Sequence, residues 1–416
     1  MTDTAIGRDD CLQWDEQDPL RRFRERFTLP PGVIYLDGNS LGALPAHTPE
    51  RVETMIRREW GDGLIRSWND AGWFEKPVVL GDRIAPLIGA GAGEVVVGDS
   101  TSISLFQALT AAVRLRPDRR VVVAEADNFP TDLYLLQSVQ EIAGLELRLV
   151  DPRTPGASLD DLLDEQVGVV LLSQVNYRTG ELLDMAETTA RVHAAGALVV
   201  WDLCHSVGAL PVDVTAAGAD FAAGCTYKYL NGGPGSPSFV YVAPRHQEAA
   251  APPLTGWQGH RRPFAFEGAY AAGEGATRFR IGTPQLISMA ALEASLDIWE
   301  EVSLADIRTK SLALTDMFIR LVEERLPGLG TVVTPRAHAS RGSQVSVRVD
   351  DGYPMMQALI ERGVIGDFRA PDIMRFGFTP LYTSMTDVWD AVEVLQEIVV
   401  SESWRALPAA PSGQVT

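Results

Sequence analysis

The sequence is short of basic charge, of cysteine and of long apolar runs, and each shortage closes off a class of function. Lys and Arg total 36 against 55 Asp and Glu, a formal charge of −19 at pH 7. A field of that sign repels nucleic-acid backbones and anionic lipid headgroups, so neither nucleic acid nor membrane is an expected partner. The three cysteines, Cys11, Cys204 and Cys225, form an odd set with no paired spacing. That pattern points to free thiols in a reducing, cytoplasmic compartment and away from a secreted disulfide framework. The longest apolar runs, such as Val167 to Leu172 and Ala197 to Trp201, are strand-sized, far below the roughly 20 residues that cross a bilayer. The opening, Met1 to Asp18, is acidic and lacks the basic flank and apolar run of an export signal.

What is present is 416 residues, 46% hydrophobic, enough to fill one large α/β core and a smaller one. From about residue 50 to 245, short β-branched runs alternate with amphipathic stretches, the pattern of a parallel sheet with crossover helices. Strands are expected at Val95–Val97, Val121–Glu125, Leu145–Val150, Val167–Val175, Ala197–Leu203 and Ser238–Val242. Helices are expected at Ser104–Leu115, Asp132–Ala143 and Met185–Ala194. Beyond about residue 290 the texture changes to one long helical pattern from Gln285 through Leu326, then runs at Ser343–Val349 and Ile373–Phe378 around another helix. The expected fold is α/β, with a large domain at 46–290 built on a mostly parallel sheet and a smaller α+β domain made from 1–45 and 291–416. The stretch before Asp37 has no strand–helix unit of its own and is expected to pack on the smaller domain. The tail from Pro408 to Thr416 reads as disordered.

Chemistry concentrates around two residues. In Trp201-Asp202-Leu203-Cys204-His205-Ser206 a carboxylate ends a buried apolar strand, where α/β sheets place ligands, and burying it without a cationic partner is costly. Lys228 follows 26 residues later, about one crossover unit, so both side chains can meet in one crevice. A lysine that forms a Schiff base and an acid that keeps a pyridine nitrogen protonated are what pyridoxal 5′-phosphate requires. A lysine beside a turn is by itself usually a surface residue; its combination with Asp202 carries the reading. An apolar site also favours the neutral amine that attacks an aldehyde. Phe129-Pro130-Thr131-Asp132 follows a strand and offers an aromatic to stack on a pyridine ring. Thr101 and Ser102 open a helix, whose amides and hydroxyls suit a phosphate, although the same residues also read as a plain N-cap. Ser173 and His205 end other strands on the same rim, and His205 reads equally as a core histidine. No metal is called for.

On these residues the sequence resembles kynureninase, of the aminotransferase class V group within the fold-type-I pyridoxal enzymes. The motifs run along nearly the whole chain: Tyr35-Leu36-Asp37-Gly38-Asn39-Ser40-Leu41-Gly42, Phe129-Pro130-Thr131-Asp132, Trp201 to Ser206, Cys225-Thr226-Tyr227-Lys228-Tyr229-Leu230-Asn231, Gly256-Trp257-Gln258-Gly259-His260 and Phe279-Arg280-Ile281-Gly282-Thr283-Pro284. The resemblance implies a homodimer with shared active sites that cleaves L-kynurenine with water to anthranilate and L-alanine, in tryptophan degradation. It implies the cofactor as an aldimine on Lys228, Asp202 on the ring nitrogen and Phe129 on the ring face. Thr101, Ser102, Pro130, Thr131, Asp132, Ser173, His205 and Tyr227 would surround the cofactor, with Trp257 and Thr283 arriving from the partner subunit. Arg375, in Met374-Arg375-Phe376-Gly377, would grip the substrate α-carboxylate, a two-pronged task suited to guanidinium. Tyr227 is either a proton shuttle or only a phosphate ligand.

The sequence departs from the family at Cys204, where Ala is common, and at Gln258, where Phe is common. Trp68, Gly282 and Thr283 match positions lining the substrate's aromatic ring; an indole gives bulk without an acceptor, so L-kynurenine is expected over 3-hydroxy-L-kynurenine. The alternative is that Trp68 fills a core beside Trp60 and Trp73. A cysteine desulfurase or selenocysteine lyase shares the group but needs a cysteine beyond the lysine, and none follows Cys225. A non-catalytic pyridoxal-binding or scaffolding protein would have no need of Arg375 and Tyr227.

Overall fold

Seven runs of small and β-branched residues pair into one sheet in a computed structural model that describes residues 6–151, 154 and 156–408. The strands are β1 (Val95–Gly98), β2 (Val121–Glu125), β3 (Glu146–Val150), β4 (Val167–Ser173), β5 (Leu198–Asp202), β6 (Phe221–Gly224) and β7 (Ser238–Val242). Their order is β1-β7-β6-β5-β4-β2-β3. The pairings from β6 through β3 are parallel, and β7 runs antiparallel to both neighbours. This is the expected α/β class with a mostly parallel sheet.

A sheet covered on both faces must be apolar on both faces, which is why its strands read as continuous runs and not as alternation. Val123, Val170, Leu172, Val199 and Trp201 point into one core, whereas Val122, Val169, Leu171 and Val200 point into the other. Helices α1 (Thr101–Arg114) and α2 (Pro130–Ala143) cover the second face through Leu105, Leu109, Leu136 and Val139. The first face is covered through Val192, Met289, Leu292 and Leu296, from helices Met185–Ala194 and Leu286–Trp299. Each such side chain contributes about 1.5–3 kcal/mol on burial.

Two expectations need correction. Strand β6 went unread because Phe-Ala-Ala-Gly has little β-branching, yet smallness is required there: a Cβ on Gly224 would lie 2.6 Å from the Phe239 ring. The long pattern from Gln285 to Leu326 is two helices, Leu286–Trp299 and Leu304–Arg325. Ser303 caps the second by accepting from the Asp306 amide, a signal present in the sequence as Ser-x-x-Asp.

A second, antiparallel sheet orders Thr331–Val332, Gln344–Arg348, Ile373–Gly377 and Asp367–Arg369. It has its own core, with Phe318, Phe376 and Leu395. The N-terminal stretch is stitched to this region. Arg8 forks onto Asp390 at 2.7 and 2.8 Å, and the Asp15 carboxylate accepts from the amides of Met385 and Thr386. Ile34–Tyr35 pairs in parallel with Val364–Ile365. Of the tail from Pro408, residues 409–416 lie outside the described residues.

Asp220, just before β6, holds three segments together. It is 1% exposed and accepts from the Val199 amide at 2.8 Å and from Arg245 at 2.6 Å, with His193 and His246 at 2.8 and 2.7 Å. Burial alone would raise its pKa, but the hydrogen bonds from His193, His246 and Val199 outweigh it and hold the carboxyl below the usual range. The native state therefore binds this proton more weakly than the unfolded chain. The resulting stability is complete above about pH 5 and is lost as pH falls through about 4 and below. Replacing Asp220 by Ala should remove about 3 kcal/mol in urea unfolding at pH 7, and Asp220→Asn should flatten the fall in midpoint between about pH 5 and 3.

Candidate active site

The carboxyl ends of β2, β4, β5 and β6 and the start of α1 surround a cavity of about 220 Å³. Register puts its acid in place: Asp202, last residue of β5, is paired with Ser173 on one side and Ala223 on the other. Asp202 is buried and accepts from the Cys204 amide at 2.6 Å, which fixes one carboxylate oxygen. Asp132, in the first turn of α2, is buried beside it. Burial, then the charge of Asp202 and a hydrogen bond to it, push the Asp132 carboxyl well above the usual range. Asp132 Oδ2 has no hydrogen-bond partner among the described residues.

Lys228 follows β6 and turns its Nζ to within 2.9 Å of His205 Nε2. The amine lies 5.9 Å from the Phe129 ring centre and 5.8 Å from that of Tyr227. Burial, followed by the charges of Lys228, Arg375 and Arg369, pushes His205 well below its ordinary value. Its neutral form is therefore favoured, with Nε2 facing the Lys228 amine; Nδ1 has no partner among the described residues. Both readings of His205 converge, since it is a buried histidine and a wall of the cavity.

The motif from Tyr35 to Gly42 clamps the lysine segment. The Gly42 amide donates to Tyr227 O at 2.8 Å, and a Cβ on Gly42 would lie 2.2 Å from Lys228 O, so only glycine fits. Asn231, at φ +57°, closes the far side by donating to Ala43 O at 3.1 Å. Burial, then Cys225, Cys204 and Asp202, push the Tyr227 phenol upward, so it keeps its proton through neutral pH.

Thr101 and Ser102 line the cavity at the start of α1, whose N-cap Ser100 makes no side-chain capping bond. Phe129, Thr131, Asp132 and Ser173 line it too, whereas Pro130 is exposed and only opens α2. Three neighbours escaped the sequence reading. Asn128 accepts from Ser173 Oγ at 2.5 Å and from the Phe129 amide at 2.8 Å. The Tyr177 ring meets Phe129 edge-on at 5.2 Å, and Gln344 donates to Tyr177 O at 2.9 Å. Asn128 adjoins a recognised motif and was findable; Tyr177 and Gln344 carry no sequence signal, because the second sheet delivers one to the other.

Other expected residues lie elsewhere on the chain. Arg375 is buried; it donates Nε to Asp367 at 2.6 Å, Nη1 to Tyr177 O at 2.5 Å, and Nη2 to Ser40 and Asp367. Trp68 packs edge-on against Trp73 and Trp257, each at 5.9 Å. Trp60 is exposed and takes no part in that cluster. Gly282 and Thr283 are exposed and border a narrow space beside Gln258 and Arg280. The cysteines are free and buried. Among the described residues no group of three or more His, Cys, Asp or Glu is placed to hold a metal ion, and no helix is long and apolar enough to cross a membrane.

This geometry meets the comparisons with known proteins. The family model for the kynureninase C-terminal domain matches residues 307–395. The kynureninase of Burkholderia pseudomallei strain 1106a is 54% identical over 98% of this chain and 99% of its own length. The kynureninase of Pseudomonas fluorescens is 53% identical over 95% and 96%. Among solved structures, the cysteine desulfurase of Thermococcus onnurineus NA1 superposes with a TM-score of 0.76 at 20% identity, over 96% of this chain and 100% of that one. The cysteine desulfurase CsdA of Escherichia coli gives 0.76 at 18%, over 92% and 98%; at such identities the likeness is one of fold. With near-complete coverage at more than half identity, the chain belongs to the kynureninase family.

Proposed function

We propose that this chain cleaves L-kynurenine with water to anthranilate and L-alanine, using pyridoxal 5′-phosphate held by Lys228. The observation that carries the reading is the meeting of an amine, a buried acid pair and an uncapped helix start around one cavity. The donor set fits the cofactor group by group. The buried acid pair of Asp202 and Asp132 suits a protonated pyridine nitrogen. The amides and hydroxyls at the start of α1 suit the phosphate, and the Phe129 ring suits the ring face.

When bound, the cofactor supplies an aldehyde for the amine and a cationic ring that accepts the electron pair released from substrate. Lys228 Nζ would hold the cofactor and is the base placed to take the substrate α-proton. Asp202, one carboxyl oxygen fixed by the Cys204 amide, would keep the ring nitrogen of a bound cofactor protonated. His205, pushed toward its neutral form, adds little positive charge beside Lys228. Tyr227, lining the cavity and holding its proton at Oη, is placed to donate a hydrogen bond, as a phosphate ligand would; to act as a proton shuttle its acidity would have to rise. Arg375 anchors the substrate carboxylate.

The partner subunit completes the site in a homodimer. Trp257 is 38% exposed, and Phe264 and Phe266 beside it are 62% and 84% exposed. With exposed Gly282 and Thr283, they form a face that a second copy of the chain would cover. The free thiols support a reducing compartment, the cytoplasm.

Lys228→Ala should abolish both the lysine-linked cofactor absorbance and turnover; a retained lysine-linked band would assign the amine elsewhere. Asp202→Asn should weaken the electron sink by about 3 kcal/mol, read as slower exchange of the substrate α-proton in deuterated water. Wild-type exchange would remove Asp202 from its role. On Trp68, the chain should prefer L-kynurenine over 3-hydroxy-L-kynurenine by about tenfold in kcat/KM, because a buried hydroxyl without a partner costs roughly 1–3 kcal/mol. An unchanged ratio in Trp68→His combined with Gly282→Ser and Thr283→Asn would assign Trp68 to packing against Trp73 alone.

A further inference from the structure

Arg375 meets its substrate role with most of its donors engaged. Four of its five N–H groups go to Asp367, Tyr177 O and Ser40, and the side chain is 2% exposed. A second guanidinium stands next to it. Arg369 shares a short strand with Asp367, two residues apart and so on the same face, and Asp367 is paired across the sheet with Arg375. Asp367 Oδ2 lies 2.8 Å from Arg369 Nη2 and accepts from Ser40 Oγ at 2.6 Å and from Arg375 Nη2. One carboxylate is thus gripped by two arginines.

The two arginines differ in what they leave free. Arg369 is 35% exposed at the side chain. Its Nη2 also reaches Ser40 Oγ at 3.4 Å, while its Nε and Nη1 make no hydrogen bond among the described residues. Two cations against Asp367 leave one positive charge in excess. Asp37 lies in the same cluster, but burial and then the charge of Asp367 push it up to about 7, so at neutral pH it offsets that excess only in part. The excess sits beside the reacting centre: both arginines act on His205, which touches Lys228, and Arg375 holds the backbone of Tyr177 on the cavity wall.

We propose that Arg369 is a second substrate-binding residue, whose open guanidinium edge pairs with the α-carboxylate while buried Asp367 orients it and Arg375 together. The proposal rests on the reading of Arg375 as a carboxylate ligand. It adds the solvent-facing half of the grip, so a ligand with a carboxylate meets both guanidinium groups and one without it meets neither.

The test uses holoenzyme variants Arg369→Gln, Arg369→Lys and Arg375→Lys, with two ligands: L-kynurenine, and the same molecule lacking its carboxylate. Arg369→Gln should weaken L-kynurenine binding about tenfold or more, as for a lost hydrogen bond to a charged group. The rise in KM should exceed the change in kcat. Inhibition by the decarboxylated analogue, cofactor content and melting temperature should stay near wild type, and Arg369→Lys should recover part of the loss. If Arg369→Gln weakens both ligands alike, or neither, Arg369 does not read the carboxylate and the proposal is overturned. If Arg375→Lys also fails to separate the two ligands, the assignment of the carboxylate to this cluster fails with it. If Arg375→Lys separates them and Arg369→Gln does not, only the Arg369 proposal falls.

Discussion

The Cα pairing of Asp202 with Ala223 at the carboxyl edge of the sheet is the constraint on which the site depends. Parallel strands side by side bring their following loops to the same edge, so the residue ending β5 and the lysine a few residues beyond β6 face one cavity. A one-residue slip of β6 would turn its side chains to the opposite face of the sheet. It would also bring Gly224, whose missing side chain makes room for Phe239, out of its place. The sheet holds this register through two apolar cores packed on opposite faces and through Asp220, which ties the entry to β6 to Val199, His193, His246 and Arg245.

The electrostatics of the cavity follow from that placement. A buried acid beside a second buried acid holds its proton more tightly, so burial and the neighbouring Asp202 push the Asp132 carboxyl well above its ordinary range. A buried imidazole next to Lys228 and two guanidinium groups is pushed toward its neutral form. What results is an acidic end at the β5 terminus, with Asp202 and Asp132, and a basic end at Lys228, Arg369 and Arg375. A cofactor with a cationic ring and a substrate with an anionic carboxylate match these two ends.

The sequence disclosed the parts of this arrangement that depend on local order. Strands β2 and β4 were legible because a strand buried on both faces is a continuous apolar run. Lys228 and Asp202 were legible because one crossover unit separates them. Phe129 and Thr101 were legible because they open helices directly after strands. Strand β6 escaped because close packing against Phe239 demands small residues, which carry little strand signal. The donors already engaged on Arg375 escaped as well, because Asp367, Ser40 and Tyr177 come to it from three separate segments. Trp257, Gly282 and Thr283 were named from the family resemblance, and on the single chain they sit on an exposed face away from the lysine cavity.

The central claim is that this cavity turns L-kynurenine into anthranilate and L-alanine. Its direct measurement is anthranilate fluorescence after purified protein is mixed with pyridoxal 5′-phosphate and L-kynurenine, with alanine quantified in the same samples. The account predicts equimolar anthranilate and alanine that accumulate in proportion to enzyme and require the cofactor. Protein that binds the cofactor and L-kynurenine, shown by a change in its visible spectrum, but releases no anthranilate would contradict it.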